Sequence, residues 1–155
     1  MINHFGILVE DLDKSVEHYS NLAGFPFCEP IEATFAHVDH GTHVEEPAVV
    51  RLTYSMGGPA YIELIEATGD GVWSPKHGYG FHHFGGYRAD IEAAHEGAIK
   101  LGAEPECVIR APDGGHMLTY FAPGSLLDVR VELLTEGMLP AWETWVSGGP
   151  PPGHD

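Results

Sequence analysis

Basic residues are scarce in this 155-residue chain, which has 7 lysines and arginines against 23 aspartates and glutamates, and a formal net charge of −16. Nucleic acids and anionic bilayers are bound by clusters of Lys and Arg, so we expect neither of them as a partner. The same imbalance weighs against a highly phosphorylated substrate. A coenzyme A ester stays open as a substrate at this point.

Cysteines and long apolar runs are scarce as well. Cys28 and Cys107 are too few for a disulfide framework and lack the paired spacing of a zinc or redox motif, so we expect two small buried thiols. No run of 18 apolar residues predicts a membrane span, and the N-terminus lacks the pattern of a secretory signal. With 43% hydrophobic residues, the chain is expected to form one cytoplasmic domain.

A short pattern occurs twice in the chain. Residues 3–24 read NHFGILVEDLDKSVEHYSNLAG, and residues 81–102 read FHHFGGYRADIEAAHEGAIKLG. His4-Phe5-Gly6 aligns with His83-Phe84-Gly85, and in each copy an aspartate precedes a helical pattern that a glycine ends. Such internal similarity indicates two copies of one structural unit.

Each copy predicts one strand, one helix and about three further strands. In the first copy we expect a short strand and then a long loop, rich in His and acidic residues, between Pro26 and Pro47, followed by a hairpin. We therefore predict an α+β fold of two tandem βαβββ modules, residues 1–67 and 81–135, within a single domain spanning 1–135. The tail, residues 136–155, is expected to be packed through its tryptophans and then partly disordered.

Four polar side chains interrupt apolar strands at matching places in the two modules. They are His4 and His83 in the first strands, and Glu63 and Glu132 in the last strands. Each one alone fits a solvent-facing position or a satisfied buried histidine. If all four point inward, two buried anions need compensation, and a divalent cation balances two carboxylates and two neutral imidazoles. These N and O ligands suit Zn, Ni, Co, Mn or Fe.

The segments INHFGILVEDLDKSVEHY, YIELIEA, GFHHFGGYRADIEAA and VRVELLT resemble the vicinal oxygen chelate superfamily, which includes glyoxalase I and methylmalonyl-CoA epimerase. The resemblance covers nearly all of residues 2–135. It implies a curved mixed sheet around a metal-binding cleft, with His4, Glu63, His83 and Glu132 as ligands. It also implies a homodimer. His82 is expected to face away from the metal, on the other side of its strand.

The resemblance implies an enzyme: an isomerase, epimerase or lyase that removes a proton next to a carbonyl polarised by the metal, through an enolate or enediolate. The substrate is expected to be a small molecule with vicinal oxygens or a carbonyl. Glu132 is the first candidate for the general base, followed by Glu63 and by Glu46, whose loop loosely resembles an epimerase loop with a catalytic glutamate.

Two alternatives remain. Without Glu63, the set His4, His83 and Glu132 suits an Fe(II) dioxygenase. A binding protein of the drug-sequestering type on the same fold needs no metal. His37 and two further loop histidines, His40 and His43, are interpreted either as surface residues or as parts of a lid over the active site.

Overall fold

The computed structural model describes residues 2–125 and 128–153. The prediction of an α+β fold with a curved mixed sheet is confirmed: within these ranges, ten strands form one sheet, flanked by three helices. The strands are β1 (His4–Val9), β2 (Ile31–Phe35), β3 (His37–Asp39), β4 (Val44–Glu45), β5 (Ala48–Tyr54), β6 (Tyr61–Glu66), β7 (Gly80–Arg88), β8 (Pro105–Arg110), β9 (His116–Phe121) and β10 (Arg130–Thr135). The helices are α1 (Leu12–Ala23), α2 (Ile91–Lys100) and α3 (Leu139–Val146).

The two halves of the sheet repeat one strand order. On one side of the centre lie β1, β6, β5 and β2, and on the other side lie β7, β10, β9 and β8. Within each half the first and last strands pair in parallel, and the two halves join where β1 pairs with β7 antiparallel. The first strands of both modules are therefore central neighbours, with the last strands just outside them.

Helices α1 and α2, one in each module, begin and end as the sequence predicts. Asp11 caps α1 by accepting a hydrogen bond from the Lys14 N–H, and Gly24 ends the helix with a positive φ of 70° that favours glycine. Asp90 caps α2 in the same way. The helices cover the convex face of the sheet, where Leu12 packs with Val9 and Leu64. The concave face therefore remains for the site.

The long loop of the first module contains two short strands that the sequence reading missed. After β2 the chain passes through Ala36 alone before β3 begins, yet β2 pairs with β5 at one edge of the sheet and β3 pairs with β8 near the other. Because one residue joins these strands, the two edges must lie side by side and the sheet curls almost into a barrel. The backbone N–H and C=O groups along β8 form the hydrogen bonds of β3. No local sequence pattern predicts this pairing.

The C-terminal segment lies against the concave face. Trp142, Trp145 and Val146 of α3 are buried in the main core cluster, so the predicted packing of the tail through its tryptophans agrees with their placement. Residues 154–155 of the tail, for which we expected disorder, lie outside the described residues. Cys28 and Cys107 are free and buried, as expected. No helix among the described residues is long and apolar enough to cross a membrane.

Candidate metal centre

The structure brings His4, Glu63, His83 and Glu132 together at the centre of the concave face. Their exposed fractions are 0, 4, 0 and 3%, and one ligand atom from each lies within 4.8 Å of all the others. His4 Nε2 lies 2.9 Å from Glu132 Oε2 and 3.1 Å from His83 Nε2. Glu63 Oε2 lies 3.3 Å from His83 Nε2 and 3.7 Å from His4 Nε2.

The glycine in each His-Phe-Gly copy makes room for the histidine of the other copy. In the antiparallel pair, His4 lies opposite Gly85 and His83 lies opposite Gly6. A Cβ atom on Gly85 would come within 2.0 Å of the His4 ring, and one on Gly6 within 2.0 Å of the His83 ring. Each copy of the motif thus provides one histidine and the glycine that accommodates the histidine of the other copy. Each imidazole lies over the backbone of the neighbouring strand.

A tyrosine accompanies each glutamate in the same repeated arrangement. Tyr54 of β5 is the cross-strand partner of Glu63, and Tyr120 of β9 is the partner of Glu132. Burial first, and the two carboxylates next, raise the pKa of both tyrosines well above the usual value. Both phenols therefore keep their protons at neutral pH. The sequence analysis did not identify these tyrosines as an equivalent pair.

Hydrogen bonds behind His83 determine which of its nitrogens carries a proton. The Val72 carbonyl oxygen only accepts, so His82 donates to it from Nε2 over 2.9 Å. Burial, with smaller contributions from His83 and Arg130, lowers the pKa of His82 to about 3. Neutral His82 therefore has an accepting Nδ1, which lies 2.9 Å from His83 Nδ1 and takes its N–H. His83 Nε2 is then left with a lone pair directed at the cluster.

His4 is oriented in the same sense from the other side. Its Nδ1 lies 3.1 Å from Asn3 Oδ1, an acceptor, so Nδ1 donates and Nε2 presents its lone pair. The prediction that His82 faces away from the cluster is wrong: a β-bulge at His82 in β7 places its ring beside His83 and against Tyr120, and its Nδ1 accepts the proton of His83. Side chains of this kind, which hold the far nitrogen of a ligand histidine, are the usual support of metal sites.

When both histidines are neutral, four acceptor atoms thus meet in a buried space with no hydrogen among them. Glu63 Oε2 and Glu132 Oε2 make no hydrogen bond of good geometry with any residue in 2–125 or 128–153. Two imidazole lone pairs and two carboxylate oxygens repel one another, and only positive charge between them relieves this. A divalent cation fits this donor set in both charge and ligand type.

The ionisation of the cluster reflects the same crowding. Burial alone lowers the pKa of His83, but the adjacent Glu132 and Glu63 outweigh it and raise the pKa to about 9. Burial raises the pKa of Glu132, and contacts with His83 and His4 more than offset this and hold it well below its usual range. In the absence of a metal, a proton on His83 supplies the missing positive charge.

Glu46, the third candidate for the base, lies elsewhere. Its side chain is exposed and pairs with His37, and both line a surface pocket with Arg110 that is separate from the cluster. The structure therefore does not bring Glu46 to the site, because β3 holds the preceding loop against β8 at the edge of the sheet.

A second group of possible ligands, His40, His43 and Glu45, lies near the edge of the sheet. The Val72 N–H donates to His40 Nδ1 over 3.2 Å. Neutral His40 then carries its hydrogen on Nε2, the nitrogen that faces Glu45 at 3.8 Å, and has no lone pair there for a metal. This group is better described as an anchor of the loop to residues 71–72.

The cavity above the four-residue cluster has a volume of about 560 Å³. Glu63 and Glu132 form its floor, and Tyr54, Tyr120 and the tryptophans of α3 are among its walls. A ligand in this cavity would lie directly against the carboxylates. The arrangement is a buried set of metal ligands opening into an apolar chamber.

Known proteins share this fold. The family model for the glyoxalase/bleomycin resistance protein/dioxygenase superfamily matches residues 3–122. No match was found among curated proteins. A variant of Streptomyces coelicolor methylmalonyl-CoA epimerase in complex with 2-nitronate-propionyl-CoA is 27% identical, with a TM-score of 0.55 over 86% of this chain and 92% of the other.

Methylmalonyl-CoA epimerase from Mycobacterium tuberculosis has the same fold, with 22% identity and a TM-score of 0.60 over 86% of each chain. The repeated modules, the curled sheet and the match over most of the chain agree with one another. The chain belongs to the glyoxalase/bleomycin resistance protein/dioxygenase superfamily.

Proposed function

We propose that the protein is a divalent-metal-dependent enzyme of the isomerase, epimerase or lyase type, which removes a proton from carbon next to a carbonyl group. The observation that carries the proposal is the meeting of two imidazole lone pairs and two carboxylate oxygens in a buried space. Family membership and the likeness to methylmalonyl-CoA epimerases support it.

His4, Glu63, His83 and Glu132 would hold the ion. Bound there, a divalent ion supplies Lewis acidity to a substrate carbonyl and makes the neighbouring proton easier to remove. Asn3 and His82 keep the two imidazoles pointed at the ion, and the protonated Tyr54 and Tyr120 lie beside the carboxylates as hydrogen-bond donors to a substrate oxygen.

The general base must lie within reach of a substrate in the cavity. Glu63 and Glu132 meet this requirement, whereas Glu46 does not. Glu63 has the longer contacts, 3.3 and 3.7 Å to the histidines, against 2.9 and 3.4 Å for Glu132. We therefore place Glu63 ahead of Glu132, reversing the order based on sequence, because a loosely held carboxylate moves to a proton more easily.

The experiment follows proton exchange in D₂O by NMR, with 2-hydroxyacetophenone and methylmalonyl-CoA as separate probes. We expect the signal of the proton next to the carbonyl to disappear, for at least one of the two probes, with metal-loaded protein and to persist with protein treated with EDTA. Equal exchange by both preparations would contradict the proposal. Elemental analysis of freshly purified protein should find one divalent ion per chain, and the absence of any ion would favour the metal-free binding protein instead.

The Glu63→Gln variant distinguishes the four-ligand enzyme from the three-ligand dioxygenase. A glutamine keeps the shape and one ligand oxygen but cannot take a proton, so we expect metal to stay bound and exchange to be lost. Unchanged metal content together with unchanged exchange would favour the three-ligand set of His4, His83 and Glu132, and oxygen consumption with bound iron would then identify a dioxygenase.

A further inference from the structure

The wall of the cavity facing the cluster comes from α3. Trp142 contacts Tyr54 and Tyr61 edge to face, with ring centroids 5.5 and 4.6 Å apart, and Trp145 contacts Tyr54 at 5.7 Å. Ala141 of the same helix and Pro152 further along the tail also line the cavity. The C-terminal segment therefore closes the chamber from the side opposite the sheet.

The lining of the chamber is predominantly apolar and aromatic. Of the 22 lining residues among those that the structure describes, three are charged, and all three are glutamates: Glu32 at the exposed rim and the two of the cluster. No Lys, Arg or His is part of this lining within the described ranges. The cavity is thus acidic at its floor and rim and apolar in between.

Three arginines outside this lining are paired with carboxylates. Arg51 pairs with Asp13 and Glu66, Arg130 with Glu106, and Arg110 with Glu92. The 3′-phosphate and diphosphate of a coenzyme A ester need Lys or Arg near the point where that long arm leaves the cavity. A rim with Glu32 and a net charge of −16 repel those phosphates instead.

We infer that the substrate is a small phosphate-free molecule, with an aromatic ring or a similarly apolar body and two adjacent oxygens, which is enclosed between the cluster and α3. This rests on the proposed function, since the oxygens would address the metal. The volume of about 560 Å³ suits a body of one or two rings, since a cavity of roughly 150 Å³ already admits benzene. Edge and face contacts with Trp73 and Trp142 would recognise the ring.

All three tryptophans of the chain, Trp73, Trp142 and Trp145, line this cavity, so their fluorescence reports its occupancy. The binding experiment titrates zinc-loaded protein with catechol and, separately, with methylmalonyl-CoA, and follows heat by calorimetry and tryptophan emission. We expect saturable 1:1 binding of catechol with a change in emission, and no binding of methylmalonyl-CoA at the same concentrations. Binding of the CoA ester as tight as that of catechol would overturn the inference.

Ala33→Phe places a ring in the chamber from β2, whose half-buried Ala33 points inward opposite Val50. We expect catechol to bind at least about tenfold more weakly to this variant, with metal content unchanged. Val49→Phe is the matched control, because exposed Val49 lies on the neighbouring strand and outside the lining. Equal weakening by both variants, or by neither, would contradict an enclosed site.

Toluene binding to EDTA-treated protein distinguishes this inference from the proposed function. Toluene has no oxygens and needs no metal, so we expect it to change tryptophan emission in wild type and Val49→Phe and not in Ala33→Phe. That pattern without any metal uptake by the protein would refute the proposed function and leave the enclosed apolar site standing. Metal uptake without that pattern would refute the enclosed site alone.

Discussion

Replacing Gly85 by alanine tests the interlock of the two repeated motifs. The added Cβ would lie 2.0 Å from His4 Cε1, 2.1 Å from His4 Nε2 and 2.8 Å from Glu132 Oε2. These separations are far below contact distance, and all three atoms belong to buried side chains, so the His4 ring must be displaced. Gly85 lies within a regular strand and its φ is not positive, so strain of the backbone contributes little and the effect is steric.

The expected size of the effect follows from overpacking. Inserting a methyl group into a packed interior costs about 1–3 kcal/mol of the free energy of unfolding, which for a domain of this size lowers Tm by roughly 2–10 °C. Displacing His4 should weaken metal binding by at least about 10- to 100-fold, the loss seen when the support of a ligand is removed. Gly6→Ala should behave alike through His83.

Gly97→Ala is the matched control. Gly97 lies within α2, and an added Cβ there meets nothing within 4 Å. Alanine should stabilise the helix by about 0.5–1 kcal/mol and leave metal binding unchanged. The assays are thermal unfolding of the EDTA-treated protein and a competition titration of zinc against a chromophoric chelator. Wild-type zinc affinity in Gly85→Ala would refute the reasoning.

Three further outcomes are expected. In metal-free protein the pKa of folded His83 is raised from 6.5 to about 9. Protonated His83 therefore contributes about 3 kcal/mol to the free energy of unfolding below pH 6.5, and this contribution is lost as the pH rises through 9. Urea unfolding at a series of pH values should show this loss in wild type and not in His83→Gln. His82→Phe keeps the volume but removes the acceptor for the His83 N–H, so zinc affinity should fall about 10- to 100-fold while His82→Asn retains more of it; equal affinities would contradict the orienting role. Trp142→Ala should lower the free energy of unfolding by about 3–5 kcal/mol, and a loss under 1 kcal/mol would show that α3 contributes little to the core.

The repeat allowed most of the central fold to be predicted from the sequence. Asp11 and Gly24 mark the ends of α1 by their own chemistry, and His4 and His83 occupy matching places in the first strands of the two modules. Equivalent positions in two modules that pair through their first strands must come close together. The convergence of the four polar residues was for that reason accessible, while the metal itself stays a prediction.

Features that depend on contacts between distant segments were not accessible. A β-bulge at His82 breaks the alternation of strand β7 and brings the His82 ring beside His83, and nothing in the sequence indicates that the Val72 carbonyl lies there to accept its proton. The pairing of β3 with β8 depends on the curl of the whole sheet. The tryptophans of α3 indicate that this helix packs against the rest of the domain. Their position over the cavity is set by contacts with Tyr54 and Tyr61.

The link through Ala36 between β2 and β3 has a consequence for how a substrate arrives. Flattening the sheet to admit a molecule from the side would require all three register pairs between β3 and β8 to break, because the chain itself ties the two borders together. We therefore expect a substrate to enter and leave at the rim beside Glu32 and Pro152. Movement of the segment around Pro152, and not spreading of the strands, would set the rate of entry and exit.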